Sequence, residues 1–254
     1  MATNLIPVLP GLCAHASGVL WLADPKTAMI ADAHLGYSWA QRRRGELGPL
    51  VDFRARDKLF RVCDELQPET LVFVGDLVHA PRPCSPEREW IEETLTQLSG
   101  RAEIIAVRGN HDRAFAREFG HLNLKSVEVW SHGSVTAVHG DRFAVAWPEN
   151  HTLVLGHLHP CLGVKDASGA TRKLPVFLVN PGCIVLPAFS PFARGYDVIC
   201  GLPDELQCCF RNAPVEAYAA TGSRLVCLGP LERAIQTMFD ADASAPERFR
   251  GRRA

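Results

Sequence analysis

Six short apolar runs, at residues 28–31, 71–74, 104–107, 135–138, 153–155 and 176–179, each have the length of a buried strand and stop abruptly at polar residues. Runs this short and this rich in β-branched residues read as strands covered on both faces rather than as helices. Between the first two, Leu50, Phe53, Leu59, Phe60, Cys63 and Leu66 recur at helical spacing, which predicts an amphipathic helix over 50–67. Between the second and third, Ser85-Pro86 supplies an N-cap and N1 proline, Trp90, Ile91, Leu95 and Leu98 form a stripe, and Gly100 supplies a stop. Alternating strands and helices imply right-handed crossovers in a helix-covered sheet. Past about residue 135 the helical spacers vanish, and the closely spaced strands predict a second sheet packed on the first. Residues 18–22, before the turn Asp24-Pro25-Lys26, read as a hairpin partner of the first core strand.

At the C-terminal end, 231–240 reads as a short helix and 241–254 as a frayed tail. No repeat or low-complexity linker interrupts the 254 residues. One domain over 1–254 is therefore expected, with a core at about 27–200 and further strands and a helix at about 201–240.

Five of the six runs end in a residue type that binds metal. The endings are Asp32-Ala33-His34, Gly75-Asp76-Leu77-Val78-His79, Gly109-Asn110-His111-Asp112, His139-Gly140-Asp141 and Gly156-His157-Leu158-His159. In an α/β sheet the ligand crevice lies beyond the carboxyl ends of the strands, so these residues are expected to converge. The spacing of two within Asp32/His34 and within His157/His159 directs both side chains to one side if the backbone is extended. Oxygen and imidazole donors without thiolate suit Mn, Fe, Zn, Co or Ni rather than a closed structural zinc site. Seven such donors exceed one ion's needs. Two ions about 3.5–4 Å apart, sharing a carboxylate and a water, account for them and supply a hydroxide nucleophile for a phosphorus centre.

Composition narrows the partners. The 47% hydrophobic content is enough for a substantial core, and Lys and Arg total 27 against 28 Asp and Glu. No global charge excess marks a nucleic-acid or membrane-surface binder, so any polyanion must be met by a local patch. No apolar run approaches the roughly 20 residues of a membrane helix, and the first ten residues lack a secretory pattern, so the reading is cytoplasmic. Nine scattered cysteines, odd in number and mostly in apolar settings, read as reduced thiols.

The ordered motifs DxH, GDxxH, GNHD, HGD and GHLH, over residues 28–182, resemble the calcineurin-like metallophosphoesterase superfamily. That resemblance implies a four-layer α-β-β-α sandwich, that is, a two-sheet α/β architecture flanked by helices. It implies Asp32, His34 and His159 on one ion, Asn110, His139 and His157 on the other, and Asp76 between them. His111 would bind the phosphate and protonate the leaving alkoxide, while Asp112 would hold its imidazole. It also implies that the turn Asn180-Pro181-Gly182 packs beneath the site, and, because members of the superfamily often pair, it leaves a homodimer open. Manganese is the first expectation for both ions.

Asp32-Ala33-His34-Leu35-Gly36-Tyr37, followed by Arg42-Arg43-Arg44-Gly45, is similar to the small SbcD-related phosphoesterases. That narrower resemblance adds a DNA-repair nuclease as an alternative to general phosphodiester or phosphomonoester hydrolysis. A binding scaffold on the same fold is the other alternative, and it would be expected to lack donors that this chain keeps. His79 stands where the superfamily more often has Asp, and it reads as a rim residue. The run Arg42, Arg43 and Arg44 reads as a solvated face close enough to the first motif to touch phosphate.

Overall fold

The computed structural model describes residues 4–46, 48–142, 147–165, 170–193 and 195–244. Its first sheet runs, in spatial and chain order, β1 (Leu5–Leu9), β2 (Leu12–His15), β3 (Leu20–Leu22), β4 (Thr27–Ile30), β5 (Thr70–Val74), β6 (Glu103–Val107) and β7 (Lys125–Val127). The first four are antiparallel, with β3 paired to β4 as the hairpin reading expects, and β4 to β7 are parallel. The second sheet is built from β8 (Trp130–His132), β9 (Val135–Val138), β10 (Thr152–Leu155), β11 (Pro160–Lys165), β12 (Thr171–Asn180), β13 (Cys183–Val185) and β14 (Tyr196–Asp197). β15 (Glu216–Ala220) and β16 (Leu225–Pro230) extend it from the C-terminal half of β12. In this sheet β9, β10 and β13 are parallel.

Side-chain alternation sorts the core into layers. Ala28 and Ile30 of β4, Leu71 and Phe73 of β5, and Ile104 and Ala106 of β6 face the helices. Those helices are α2 (Phe53–Leu66) and α3 (Ser85–Ser99), which follow α1 (Tyr37–Arg43). Met29, Val72, Val74, Ile105 and Val107 point the other way and meet Ala137, Val154, Phe177 and Ile184 between the sheets. On the far face of the second sheet, Leu153, Leu155, Val176 and Leu178 pack with α5 (Asp204–Gln207) and α6 (Leu231–Ser244). The short helix α4 (Phe115–Phe119) seats Phe115 and Phe119 in the helix-side core. The result is the expected four-layer α-β-β-α sandwich. No helix among the described residues is long and apolar enough to cross a membrane.

Some details differ from the sequence reading. α3 starts one residue earlier than Pro86 implied, with Cys84 at the N-cap and the Cys84 N–H donating to Glu87 Oε2 at 3.1 Å. α6 runs to Ser244 rather than fraying at 241, while residues 245–254 lie outside the described ones. The turn Asn180-Pro181-Gly182 precedes β13, whose Cys183 pairs with Leu153 and whose Val185 pairs with Leu155. The turn therefore sits at the opposite end of the strands from the metal motifs. There Asn180 Nδ2 donates to the Arg211 and Ala213 carbonyls. Residues 186–190 are the segment beneath the motif edge: the Phe189 N–H donates to the Ala31 carbonyl and the Ser190 N–H to that of Asp32.

Candidate metal centre

Asp32 follows β4, Asp76 follows β5, Asn110 follows β6, His139 follows β9 and His157 follows β10, so both sheets deliver donors from their parallel strand ends. The backbone there is not extended. Asp32, His34, Asp76, His157 and His159 have φ of 57°, 47°, 48°, 63° and 52°. The side chains of Asp32/His34 and His157/His159 therefore share a side because each strand breaks into a left-handed kink, not because of strand alternation. Non-glycine residues rarely hold this region, and its cost is tolerated where surrounding contacts fix the geometry. Here the Asp32 N–H donates to the Gly75 carbonyl and the His34 N–H to that of Asp76.

Close approach of the donor loops, within the first sheet and between the sheets, depends on glycine. A Cβ on Gly109 would stand 2.2 Å from Asp76 Oδ1. One on Gly75 would stand 2.0 Å from His139 Nδ1.

Among the described residues the side chains form three overlapping sets, in each of which the nitrogen and oxygen atoms lie within 4.8 Å of one another: Asp32, His34 and His159; Asp32, Asp76 and His139; and His34, His79 and His111. His159 Nε2 is 3.0 Å from Asp32 Oδ1, and His139 Nε2 is 3.4 Å from Asp76 Oδ2. Asn110 Oδ1 lies 3.2 Å from the same His139 nitrogen. His157 is exposed, packs its ring against that of His139 at 5.0 Å and donates its backbone N–H to Asp32 Oδ2. Of the two aspartates, Asp32 joins two of the sets and Asp76 one, although the resemblance gave the shared position to Asp76. His79, read from sequence as a rim residue, lies with its Nδ1 3.3 Å from that of His34.

The electrostatics fit a cation. Asp32 Oδ1 is buried and takes part in no hydrogen bond, its near neighbour being the ring nitrogen His159 Nε2 at 3.0 Å. A buried, unsatisfied carboxylate oxygen is costly unless a positive charge meets it. Burial drives the His34 imidazole down to about 4 despite Asp32 and Asp76 nearby, which leaves a neutral ring with a lone pair to give. Burial alone would raise Asp76, but the hydrogen bond and charge of His139, then those of His111, bring it to about 2. His139 answers in kind. Burial would lower it, yet Asp76, Asp32 and the Val74 carbonyl lift it to about 9. Its Nδ1 is 3.1 Å from that carbonyl, which can only accept, so Nδ1 carries the proton and Nε2 is the atom turned to the carboxylates.

His111 and Asp112 part company. His111 donates its backbone N–H to Asp76 Oδ1 at 2.8 Å, and its Nδ1 lies 2.6 Å from the His79 carbonyl oxygen. Asp112 does not reach the imidazole. Its buried carboxylate accepts the N–H groups of Leu77, Val78 and Gly109, stitching two donor loops together. The 3-10 turn that begins at Asp112 sends its side chain away from His111, which adjacency in sequence conceals. Burial, then the charge of Asp76, raises its carboxyl to about 6. Asp141 sits at the edge, 3.7 Å from Arg142.

A cleft of about 430 Å³ opens above these groups, walled by His34, Asp76, Asn110, His111, His157 and His159. Tyr37, Gln41, Arg44 and Glu46 of the α1 region line its rim together with His79 and Ala193; of these, the sequence reading singles out His79 and Arg44. Tyr37 lies against His79 at 4.8 Å and stacks on Phe192 at 5.8 Å.

Carboxylate, amide and imidazole donors gathered at the strand ends of an α-β-β-α sandwich define a metal-dependent phosphoester hydrolase. The chain belongs to the calcineurin-like phosphoesterase family, whose model matches residues 25–182. Among solved structures it is similar to the crystal structure of Pseudomonas putida nuclease MPE, with a TM-score of 0.64 at 20% identity over 85% of this chain and 94% of that one. No curated protein sequence matches it.

Proposed function

We propose that the chain hydrolyses phosphodiesters or phosphomonoesters with two divalent ions, manganese first among them. Asp32, His34 and His159 would hold one ion and Asn110, His139 and His157 the other, with Asp76 reaching both. Bound there, the ions would neutralise ester oxygens and activate water at neutral pH. The observation that carries this reading is Asp32 Oδ1, buried, in no hydrogen bond and 3.0 Å from His159 Nε2, inside two overlapping donor sets.

The chain's own residues supply the rest. His111 keeps its Nδ1 proton on the His79 carbonyl, so Nε2, 3.9 Å from Asp76 Oδ2, is the atom available to a phosphate oxygen or leaving alkoxide. Asp112 acts through the backbone, holding the loops of Asp76 and Asn110 at fixed separation. Nucleic acid as the ester is the second reading, supported by the nuclease named for the similar P. putida fold.

The test is metal analysis of purified protein, with Mn-dependent turnover of bis(p-nitrophenyl) phosphate and p-nitrophenyl phosphate. Two ions per chain and turnover that chelation abolishes are expected. A single ion, or turnover indifferent to chelation, would refute the reading.

A further inference from the structure

Beside the donor cleft, and sharing Arg44, His79 and His111 with it, lies a larger groove of about 730 Å³. Arg43, Arg44, Arg82, Arg113 and Arg117 line it, and among the described residues no carboxylate does. For a chain with a net charge of -1 this is a strong local concentration of positive charge. It gathers from three places in the sequence: the end of α1, the loop before α3, and the turn around α4.

The arginines are not alike. Arg43 is an anchor, 3.3 Å from the buried Glu87 carboxylate and donating to the Arg82 carbonyl at 2.7 Å. Arg117 is paired with Glu118 at 2.8 Å. Arg44, Arg82 and Arg113 are exposed and form no ion pair among the described residues. On the other flank of the donors, Arg113 stands with Arg108 and Arg142, which pair with Glu128 and Asp141, so most of the charge there is offset. Of the two flanks, only the one beside His111 carries arginines with no carboxylate in its lining.

We infer that this groove holds the phosphate or phosphates next to the scissile one, so that the substrate is a nucleic-acid strand laid across His111 with its flank on Arg44, Arg82 and Arg113. This rests on the hydrolytic reading of the metal rim and deepens it. Guanidinium groups free of carboxylates grip phosphate oxygens through paired N–H donors, and a groove with one sign of charge concentrates a polyanion.

Binding of a fluorescein-labelled oligothymidylate to metal-free full-length protein, followed by anisotropy, tests the groove apart from catalysis. In the triple variant Arg44→Ala/Arg82→Ala/Arg113→Ala, affinity should fall at least about tenfold, and the slope of log affinity against log salt should flatten by roughly 2, from three contacts at about 0.7 each. With Mn, the double variant Arg82→Ala/Arg113→Ala, which keeps Arg44 on the rim of the donor cleft, should lose kcat/KM on the oligonucleotide through KM, while bis(p-nitrophenyl) phosphate, which has one phosphate, is turned over within about twofold of the parent. An unchanged melting temperature excludes unfolding as the cause.

Unaltered strand affinity would overturn the inference, and so would equal losses on both substrates. Inorganic tripolyphosphate that binds as tightly as the strand, and is lost in the same variant, would also overturn it in favour of a free polyphosphate. If the parent hydrolyses neither ester yet the variant alone loses the strand, the groove stands and the hydrolytic reading falls.

Discussion

The imidazole of His111 is held by the backbone of His79: Nδ1 of the first lies 2.6 Å from the carbonyl oxygen of the second, and the two rings stack at 5.0 Å. A carbonyl accepts only, so the bond fixes which nitrogen keeps its proton and turns Nε2 to the cleft. His111→Ala removes that nitrogen without touching a proposed metal donor, and its side chain is 32% exposed, so little packing is lost. Turnover should fall about 10²–10⁴-fold, as for loss of a general acid. Metal content and melting temperature should remain those of the parent. Turnover within a few-fold of the parent would remove His111 from the chemistry.

Asp32 lies wholly buried with one oxygen in no hydrogen bond, so a cation should stabilise the fold as well as serve it. An ion at about 100 times its Kd adds about 2.7 kcal/mol, and each kcal/mol moves the Tm of a chain this size by about 2–4 °C. Chelation should therefore lower the melting temperature by about 5–10 °C. Asp32→Asn removes the buried charge that attracts the ion, so that variant should melt at the same temperature with and without chelator. It should also melt no lower than the metal-free parent. A chelator response that survives in Asp32→Asn would show that this carboxylate is not a donor.

Which parts of this molecule could be read from its sequence follows from burial. β5 announces itself because Leu71 and Phe73 face helices while Val72 and Val74 face the second sheet, so every position in it must be apolar. β7 and β8 give no such signal: each is three residues long, and Lys125, Ser131 and His132 keep partly or fully solvated side chains. The donors were readable one by one because each ends a strand. Their partners were not. His111 is held by a main-chain carbonyl, which no residue type advertises, and Asp112 turns to amides 34 and 35 positions away. Likewise Arg82 and Arg113 meet Arg44 only once the fold has brought three segments together.

Lys58, on α2, tests the packing under the motif edge. Its Nζ donates to the Phe189 carbonyl at 2.9 Å and sits 3.9 Å from the centre of that ring. Burial, then the charge of Arg61, pushes its ammonium from 10.5 down to about 7. Between those two values the unfolded chain binds more protons than the folded one, so this group makes stability rise as pH rises from about 7 to 10.5. Lys58→Met abolishes that contribution. Urea midpoints for parent and variant, taken from about pH 6 upward, should therefore shift in the parent's favour as pH increases. A difference between them that is flat with pH would show that Lys58 stays charged in the fold.

The two sheets meet so closely at the donors that one missing side chain sets their distance. Gly75 has φ +81°, and any Cβ there would stand 2.0 Å from His139 Nδ1 and 2.3 Å from its Cγ. That nitrogen is also bonded to the Val74 carbonyl, so the ring cannot move aside without breaking the bond that orients it. Left-handed backbone costs an L side chain about 1–2 kcal/mol, and overpacking adds about 1–3 kcal/mol more. Gly75→Ala should accordingly lose about 2–5 kcal/mol of stability and release metal, because His139 is pushed off Asp76. Gly45 isolates the backbone part of this cost: its φ is +88°, and a methyl group there would meet nothing within 4 Å. Gly45→Ala should cost about 1–2 kcal/mol and leave turnover intact. Equal effects of the two substitutions on metal content would mean that the contact with His139 does not hold the sheets at this spacing.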